Sequence, residues 1–301
     1  MSILSIQACS DKGIKRSGNE DMISINGILV RDSSYCRYQS IDDEGVYYYL
    51  IADGMGGHEK GEYASEYTLN HIGRNIGSMT DFEKDFSAVT QWISRDLNKI
   101  ASEEDQSRPM GNTLTGIVWN KGKIWVVNIG DSRTYRLRAG LLKQLTEDQD
   151  INHKYGTDMG AQGLALYNAI GGGCGGVAEV ADYSGRVLDG DTILICSDGL
   201  TDMVDDKEIE RILSVKSENY ATNLVHQANL NGGEDNISVV VIHIYNEKDF
   251  PLVDAMKVVE DHGVRPMESD TDDDRIIPES CKSKIKELFQ HFGGLIRTKK
   301  N

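Results

Sequence analysis

Five short segments of this 301-residue chain set an acidic residue beside a glycine or a second acid, at or near the end of an apolar, strand-like run. They are Asn19-Glu20-Asp21, Ala52-Asp53-Gly54-Met55-Gly56-Gly57, Ile129-Gly130-Asp131-Ser132-Arg133, Cys196-Ser197-Asp198-Gly199 and Gly233-Glu234-Asp235-Asn236. A strand end fixes where a carboxylate points, and a following glycine lets the backbone turn sharply or approach a ligand closely. Carboxylates converging from several strand ends make a cluster of hard oxygen donors, which suits Mg²⁺ or Mn²⁺. A single Asp-Gly is an ordinary turn. Here two of them, Asp53-Gly54 and Asp198-Gly199, each close an apolar run, and Gly54 adds a backbone carbonyl as a further donor.

The elements that must carry these acids are short. Apolar alternation or β-rich runs recur at 3–9, 22–30, 46–52, 113–119, 123–129, 134–138, 176–182, 192–196 and 237–245. Turn signals such as Asn120-Lys121-Gly122-Lys123, Arg138-Ala139-Gly140 and Asp189-Gly190-Asp191 separate many of them. Helical spacing predicts a helix over 62–76 (Ala64, Tyr67, Thr68, Ile72, Ile76). A second is predicted over 81–101 (Phe82, Phe86, Val89, Trp92 or Ile93, Leu97, Ile100). Two more are predicted over 205–215 and 219–229. The Phe82/Phe86/Trp92 stripe reads as core and not as a cofactor box, because apolar residues at helical period face the interior. Strands, two helices, then strands again predict an α+β architecture of antiparallel sheets with helices packed outside them.

The totals bound the function. A formal net charge of −16 argues against a nucleic-acid-binding face. An acidic protein acting on an anion needs something cationic in its site, and metal ions meet that need. The five cysteines are odd in number, widely spaced and without a Cys-x-x-Cys pair, so free thiols in a reducing compartment are expected. Residues 1–10 lack a basic lead and a long apolar stretch, and no run reaches the length of a membrane span. The expected location is the cytoplasm. After Asn246 the composition shifts: 265–279 is rich in acids, and 282–300 sets Ile285, Leu288, Phe289, Phe292 and Ile296 near one helical face among lysines and arginines. A solvated or packed terminal helix is favoured over a segment docking on a partner or an anionic membrane, since Gly293-Gly294 interrupts it. The division expected is 1–246 as the catalytic domain and 247–301 as an extension.

Eight motifs then occur in order: Arg16-Ser17-Gly18-Asn19-Glu20-Asp21, Ala52 to His58, Gly61-Glu62, Gly111-Asn112-Thr113, Asn128 to Arg133, Leu145-Thr146-Glu147-Asp148, Cys196 to Asp202, and Asp235 to Val239. Together they resemble the metal-dependent PP2C (PPM) protein phosphatases, particularly the compact bacterial type. The resemblance implies a four-layer α-β-β-α sandwich with a binuclear Mn²⁺ or Mg²⁺ centre at one end of the sheets. It implies that Asp53 bridges the metals, that the Gly54 carbonyl and, through water, Glu20 hold one, and that Asp198 and Asp235 hold the other. Asp21 acts through bound waters, Asp131 matches the ligand of a third metal, and Arg16 matches the arginine that clamps the substrate phosphate. The implied reaction is in-line hydrolysis of phosphoserine and phosphothreonine by a water bridging two ions. The resemblance also implies opposition to a Hanks-type kinase and a monomeric catalytic domain. No cysteine or serine nucleophile is needed, which leaves Cys196 as a buried small hydrophobe.

Three other readings draw on the same residues. A silent phosphoprotein-binding module is expected to have lost a ligand, whereas Asp21, Asp53, Asp198, Asp235 and Arg16 are all present. A phosphatase for small esters would share the site. A Ca²⁺-binding structural protein lacks its Asp-x-Asp-x-Asp-Gly loop. The chain departs from the family pattern in places. Met55 stands where animal members place a histidine, leaving His58 as a candidate acid further along. Asn112 stands where threonine or serine is commoner. Tyr167-Asn168 replaces a threonine-arginine pair in a short, glycine-rich flap between Asp148 and Ala169. The glycines at 171–173 and 175–176 read as a turn; no Lys-Ser/Thr pair follows to make a P-loop.

Overall fold

The computed structural model describes residues 2–57, 59–103, 110–156, 159–162, 165–247 and 250. The candidate acid His58, the flap glycine Gly163, Cys281 and the terminal segments at 265–279 and 282–300 lie outside the described residues.

Two six-stranded antiparallel sheets form the centre. One runs β11 (Leu141–Gln144), β10 (Arg133–Arg138), β14 (Thr192–Cys196), β15 (Ile237–Asn246), β1 (Ser2–Asp11), β4 (Ser34–Ile41). The other runs β13 (Glu179–Asp182), β9 (Lys123–Ile129), β8 (Leu114–Asn120), β5 (Val46–Ala52), β2 (Met22–Ile25), β3 (Ile28–Val30). A small third sheet joins β12 (Ile170–Gly171), β7 (Gly111–Asn112) and β6 (Gly54–Met55) beside the site.

The side-chain period of two explains the layers. In β5, Tyr49 and Ile51 enter the core between the sheets, where they meet Ile117, Ile195, Val240 and Ile242. Tyr48, Leu50 and Ala52 point the other way, into a second core under α1 (Glu59–Asn75) and α2 (Phe82–Glu103). In β15, Val240 and Ile242 face the shared core, while Val239 and Val241 pack beneath α4 (Asp198–Thr201), α5 (Asp206–Ser214) and α6 (Tyr220–Leu230). Both faces of each central strand are buried, so these strands read as unbroken apolar runs. The result is the α-β-β-α sandwich that the resemblance implied.

Differences from the sequence reading are local. The 22–30 run is not one strand: Asn26 (φ 51°) and Gly27 (φ 86°) take left-handed conformations and fold it into the β2–β3 hairpin. The strand β4 was not expected. Its sequence, Ser-Tyr-Cys-Arg-Tyr-Gln-Ser-Ile, is mostly polar and half-buried, as suits an edge strand held by pairing to β1. Between Trp92 and Ile93, the buried member of the stripe is Ile93; Trp92 is 43% exposed.

Candidate active site

The acids arrive at strand ends of both sheets: β2, β5 and β9 of one bring Glu20 with Asp21, Asp53 and Asp131, and β14 and β15 of the other bring Asp198 and Asp235. Strand β5 ends at Ala52 and delivers Asp53. The Asp53 carbonyl accepts from the Thr113 amide at 2.9 Å, and its amide donates to Thr113 Oγ1 at 3.2 Å, so the turn is held on both sides. Strand β14 delivers Asp198 at the first turn of α4, and Asp235 precedes β15. Glu20 and Asp21 precede β2. Gly130 (φ 98°) turns the chain from β9 toward β10 and presents Asp131.

These residues meet. Arg16, Glu20, Asp53, Gly54, Asp131, Asp198 and Asp235 line one cleft of about 260 Å³, with Met55 and the flap residue Leu166 on its walls. Asp21 does not line it. Its side chain is fully buried beneath the cleft, where Oδ2 accepts from Ser197 Oγ at 2.8 Å. The close packing demands small residues. A Cβ on Gly54 would lie 2.4 Å from the Gly61 carbonyl oxygen and 2.5 Å from that of Glu20, and a Cβ on Gly199 would lie 2.0 Å from the Asn236 carbonyl oxygen.

Crowding marks the electrostatics. Burial, and then the neighbouring carboxylates Asp21, Asp198, Asp131 and Asp235, push Asp53 well above the ordinary range. Burial pushes Asp21 up to about 7 against the stabilising Ser197 and Ser238 hydroxyls. Asp131 is pushed up to about 7 by burial and then by Asp198. Asp198 is pushed up to about 6 by burial and then by Asp202 and Asp235. Removing carboxylates from water beside one another disfavours their charged forms unless a cation compensates. Two buried oxygens, Asp21 Oδ1 and Asp198 Oδ1, have no hydrogen-bond partner among the described residues. An all-oxygen donor set with orphaned carboxylate oxygens fits hard divalent cations. The neighbouring Cys196 thiol is fully buried and pushed up to about 12, so it is no nucleophile.

Other residues hold the site in place without a role foreseen from sequence. Asn236 Oδ1 accepts from the Glu20 amide at 2.8 Å, while Nδ2 donates to the Lys12 and Gly18 carbonyls at 2.9 Å each. It thereby fastens the loop bearing Arg16 and Glu20 to β15. Arg31 Nε donates to the Asp21 carbonyl at 2.9 Å and Nη2 to the Glu62 carbonyl at 3.0 Å, tying the same acids to α1. Asp202 sits one helical turn after Asp198, a spacing that could have flagged it. Asn112, the departure noted above, is buried; Oδ1 accepts from Thr68 Oγ1 at 2.8 Å and Nδ2 donates to the Thr113 carbonyl at 2.7 Å.

The flap is rooted by buried polar residues. Arg133 Nε donates to both Asp148 oxygens at 3.0 Å, and Nη2 to Oδ2 at 2.6 Å. Gln149 Oε1 accepts from the Gly130 amide at 3.0 Å and from Asn168 Nδ2 at 2.7 Å. Asp150 caps α3 (Ile151–Tyr155) by accepting from the His153 amide. Asp148, Asp150 and His153 bring donor atoms within 4.8 Å of one another, but Asp148 is engaged by Arg133 and Asp150 by the helix start. The glycine run after β12 is a turn fastened to α2, where Ser94 Oγ donates to the Cys174 carbonyl and Thr90 Oγ1 to that of Gly176.

Residues 24–235 match the family model for protein phosphatase 2C. The chain is 31% identical over 250 residues to the serine/threonine phosphatase stp of Listeria monocytogenes, an alignment covering 77% of this chain and 93% of that one. It is 30% identical over 256 residues to the serine/threonine protein phosphatase PstP of Mycobacterium tuberculosis, covering 80% of this chain and 45% of that longer one. Among solved structures, the S. agalactiae serine/threonine phosphatase superposes with a TM-score of 0.67 at 26% identity, covering 80% of this chain and 99% of that chain. The PstP catalytic domain, solved with two manganese ions, superposes at 0.64 with 28% identity, covering 82% and 100%.

Proposed function

The chain belongs to the protein phosphatase 2C family, and from that premise we propose how its cleft removes phosphate from phosphoserine and phosphothreonine in proteins. It is a protein serine/threonine phosphatase. Asp53, the Gly54 carbonyl and, through water, Glu20 would hold one Mn²⁺ or Mg²⁺; Asp53, Asp198 and Asp235 would hold a second. Asp21 acts from below through water, and Asp131 offers a place for a third ion. When bound, such ions supply an acidified water and neutralise the ester's charge.

The chain's own residues do the rest. Arg16, half exposed at the cleft, presents a planar fork of donors to two phosphate oxygens. The carboxylate ring keeps the uncompensated site hostile to anions, so substrate binding depends on cation loading. Met55 and Leu166 add apolar wall to the same cleft. Water attacks phosphorus in line, the ester oxygen leaves as the side-chain hydroxyl, and inorganic phosphate is the second product.

One observation carries this reading: five carboxylates and one arginine, drawn from both sheets, share a single cleft, with orphaned carboxylate oxygens on Asp198 in its lining and on Asp21 behind it. The test is phosphate release from p-nitrophenyl phosphate and phosphothreonine peptides in millimolar Mn²⁺. EDTA should abolish it and okadaic acid should not. Silence toward both substrates, or full activity in Asp198→Asn, would sink the mechanism.

We assign the catalytic domain to residues 1–246 and an extension to 247–301; the last described strand, β15, runs to Asn246. A Hanks-type kinase is the partner proposed to supply the phosphoprotein, with the phosphatase acting as a monomer in the cytoplasm. Among the described residues no helix is long and apolar enough to cross a membrane.

A further inference from the structure

The outer face of α1 and α2 carries aromatic side chains where a solvated helix pair would carry charges. Tyr63, Tyr67 and His71 follow one another at four-residue spacing along α1, with ring centroids 5.4 Å and then 4.2 Å apart. Trp92 of α2 continues the run, 5.1 Å from His71. Tyr63 is 46% exposed and Trp92 43% exposed, while Tyr67 between them is partly buried against the core under the two helices. The Tyr67 hydroxyl donates to Asp96, which fixes the middle ring across the helix pair. Clustered exposed aromatics of this kind mark binding surfaces, and Trp and Tyr dominate their energetics.

The ladder starts two residues beyond Gly61, the position where α1 packs against Glu20. Its first ring, Tyr63, adjoins Gly61 and Glu62. A Cβ on Gly61 would lie 1.9 Å from Glu20 Oε2, and one on Gly18 would lie 3.1 Å from Glu62 Oε1. From Tyr63 to His71 the helix advances about 12 Å, which an extended peptide covers in roughly four residues. Charge gives the surface a direction. Glu59, Glu62 and Glu66 lie at the cleft end, with Glu66 half exposed. Arg31 stands 3.9 Å from both Glu62 and Glu66 but is four-fifths buried and committed to backbone carbonyls. Lys60 is half-buried one turn before Tyr63. Arg74 stands near both His71 and Tyr67, while Arg95 faces a separate groove with Lys84 and Gln91.

We propose that the Tyr63–Tyr67–His71–Trp92 ladder, with Glu62 and Glu66 at its head, docks a lysine- or arginine-bearing segment of the phosphoprotein substrate a few residues from the phosphorylated side chain. This rests on the phosphatase reading of the cleft. A cation stacks on an exposed Tyr or Trp face, and the glutamates add an attraction that a neutral or acidic segment forfeits. Sites flanked by basic residues are the substrates this surface selects.

The experiment compares two phosphothreonine peptides, identical except that one carries a pair of arginines about three to five residues from the phosphothreonine and the other carries alanines. The wild type should favour the arginine peptide through KM. Trp92→Ala, Tyr63→Ala and Glu66→Lys should each shrink that advantage roughly two- to fivefold, the size of an exposed cation–π contact, while Trp92→Phe keeps most of it. Release from p-nitrophenyl phosphate should be unchanged in all four variants. Fluorescence supplies a readout independent of catalysis: Trp119 and Trp125 are buried, so Trp92 reports the surface. Titrating an unphosphorylated arginine peptide should change its emission in a salt-sensitive way, and Glu66→Lys should weaken that response. Equal KM values for both peptides, an advantage that survives the ladder variants, or no fluorescence response would overturn the proposal. So would a concentration-dependent dimer dissolved by Trp92→Ala, which would give the face to a second copy. Loss of all phosphate release would instead sink the phosphatase reading, and the fluorescence titration would still decide the docking surface.

Discussion

Arg16 Nη2 lies 2.5 Å from Asp235 Oδ2, joining the proposed phosphate clamp to a proposed metal ligand across 219 positions of chain. The two partners are 50% and 35% exposed, so the pair is screened by water and is worth no more than about 1 kcal/mol. Cation binding at Asp235 and phosphate binding at Arg16 can therefore break it at little cost. The ion pair keeps the guanidinium aimed at the cleft until substrate arrives.

Arg16→Ala should lower kcat/KM for a phosphothreonine peptide roughly 10- to 100-fold, since charge-assisted hydrogen bonds are worth about 1.5–3 kcal/mol. Arg16→Lys should recover only part, because an ammonium cannot reproduce the planar two-point contact. Steady-state kinetics in saturating Mn²⁺ check this. An unchanged kcat/KM in the alanine variant would remove Arg16 from the mechanism.

Asp198 separates the metal reading from a purely structural one. In EDTA at pH 7, Asp198→Asn should melt above the wild type, because it deletes one of the crowded charges beside Asp53, Asp202 and Asp235. In excess Mn²⁺ the order should reverse. The wild type gains about 2.7 kcal/mol at a hundredfold excess over Kd, and the variant gains less. Calorimetry in both buffers reads this directly; the same order in each would count against cation binding at Asp198.

Asn236 links three backbone groups from two segments. Asn236→Ala should cost about 1–3 kcal/mol in urea unfolding, because the Glu20 amide and two carbonyls lose a partner. Metal affinity should fall alongside, since the loop carrying Glu20 loosens. If stability drops but Mn²⁺ affinity holds, Asn236 supports the fold and not the site.

His243 makes the stability pH-dependent. It sits against Tyr220 with Nδ1 2.6 Å from Thr192 Oγ1, while its Nε2 is buried without a partner. Burial lowers its pKa from 6.5 to about 4. The unfolded chain therefore binds a proton below 6.5 that the folded chain refuses until about 4. Stability contributed above 6.5 is lost as pH falls through that window, by roughly 3 kcal/mol in total. Chemical denaturation of the Mn²⁺-loaded protein at several pH values should show this slope, and His243→Gln should flatten it.

Much of the architecture was legible because it is locally encoded. Strands such as 46–52 and 192–196 announce themselves by apolar runs that need both faces covered, and Asp53-Gly54 and Asp198-Gly199 mark their ends. The helices over 59–75, 82–103, 206–214 and 220–230 fall within a few residues of their periodic patterns. The polar edge strand β4 carries no such pattern, since pairing with β1 and not its own side chains makes it a strand. Trp92 and Ile93 compete for the same stripe, and only the angle at which α2 meets the sheet buries one and exposes the other.

From the sequence alone came the identity of the acids, their order and the strand ends that carry them, because turn chemistry and side-chain alternation act over a few residues. The tertiary structure decided which carboxylates face the cleft and which lie beneath it. It set Asp21 under Ser197, 176 residues away, and Arg16 against Asp235. It also aligned four rings from two helices into one surface, whose first ring follows two residues after Gly61. Contacts across such separations depend on how whole sheets and helices pack, and no local pattern in the chain encodes them.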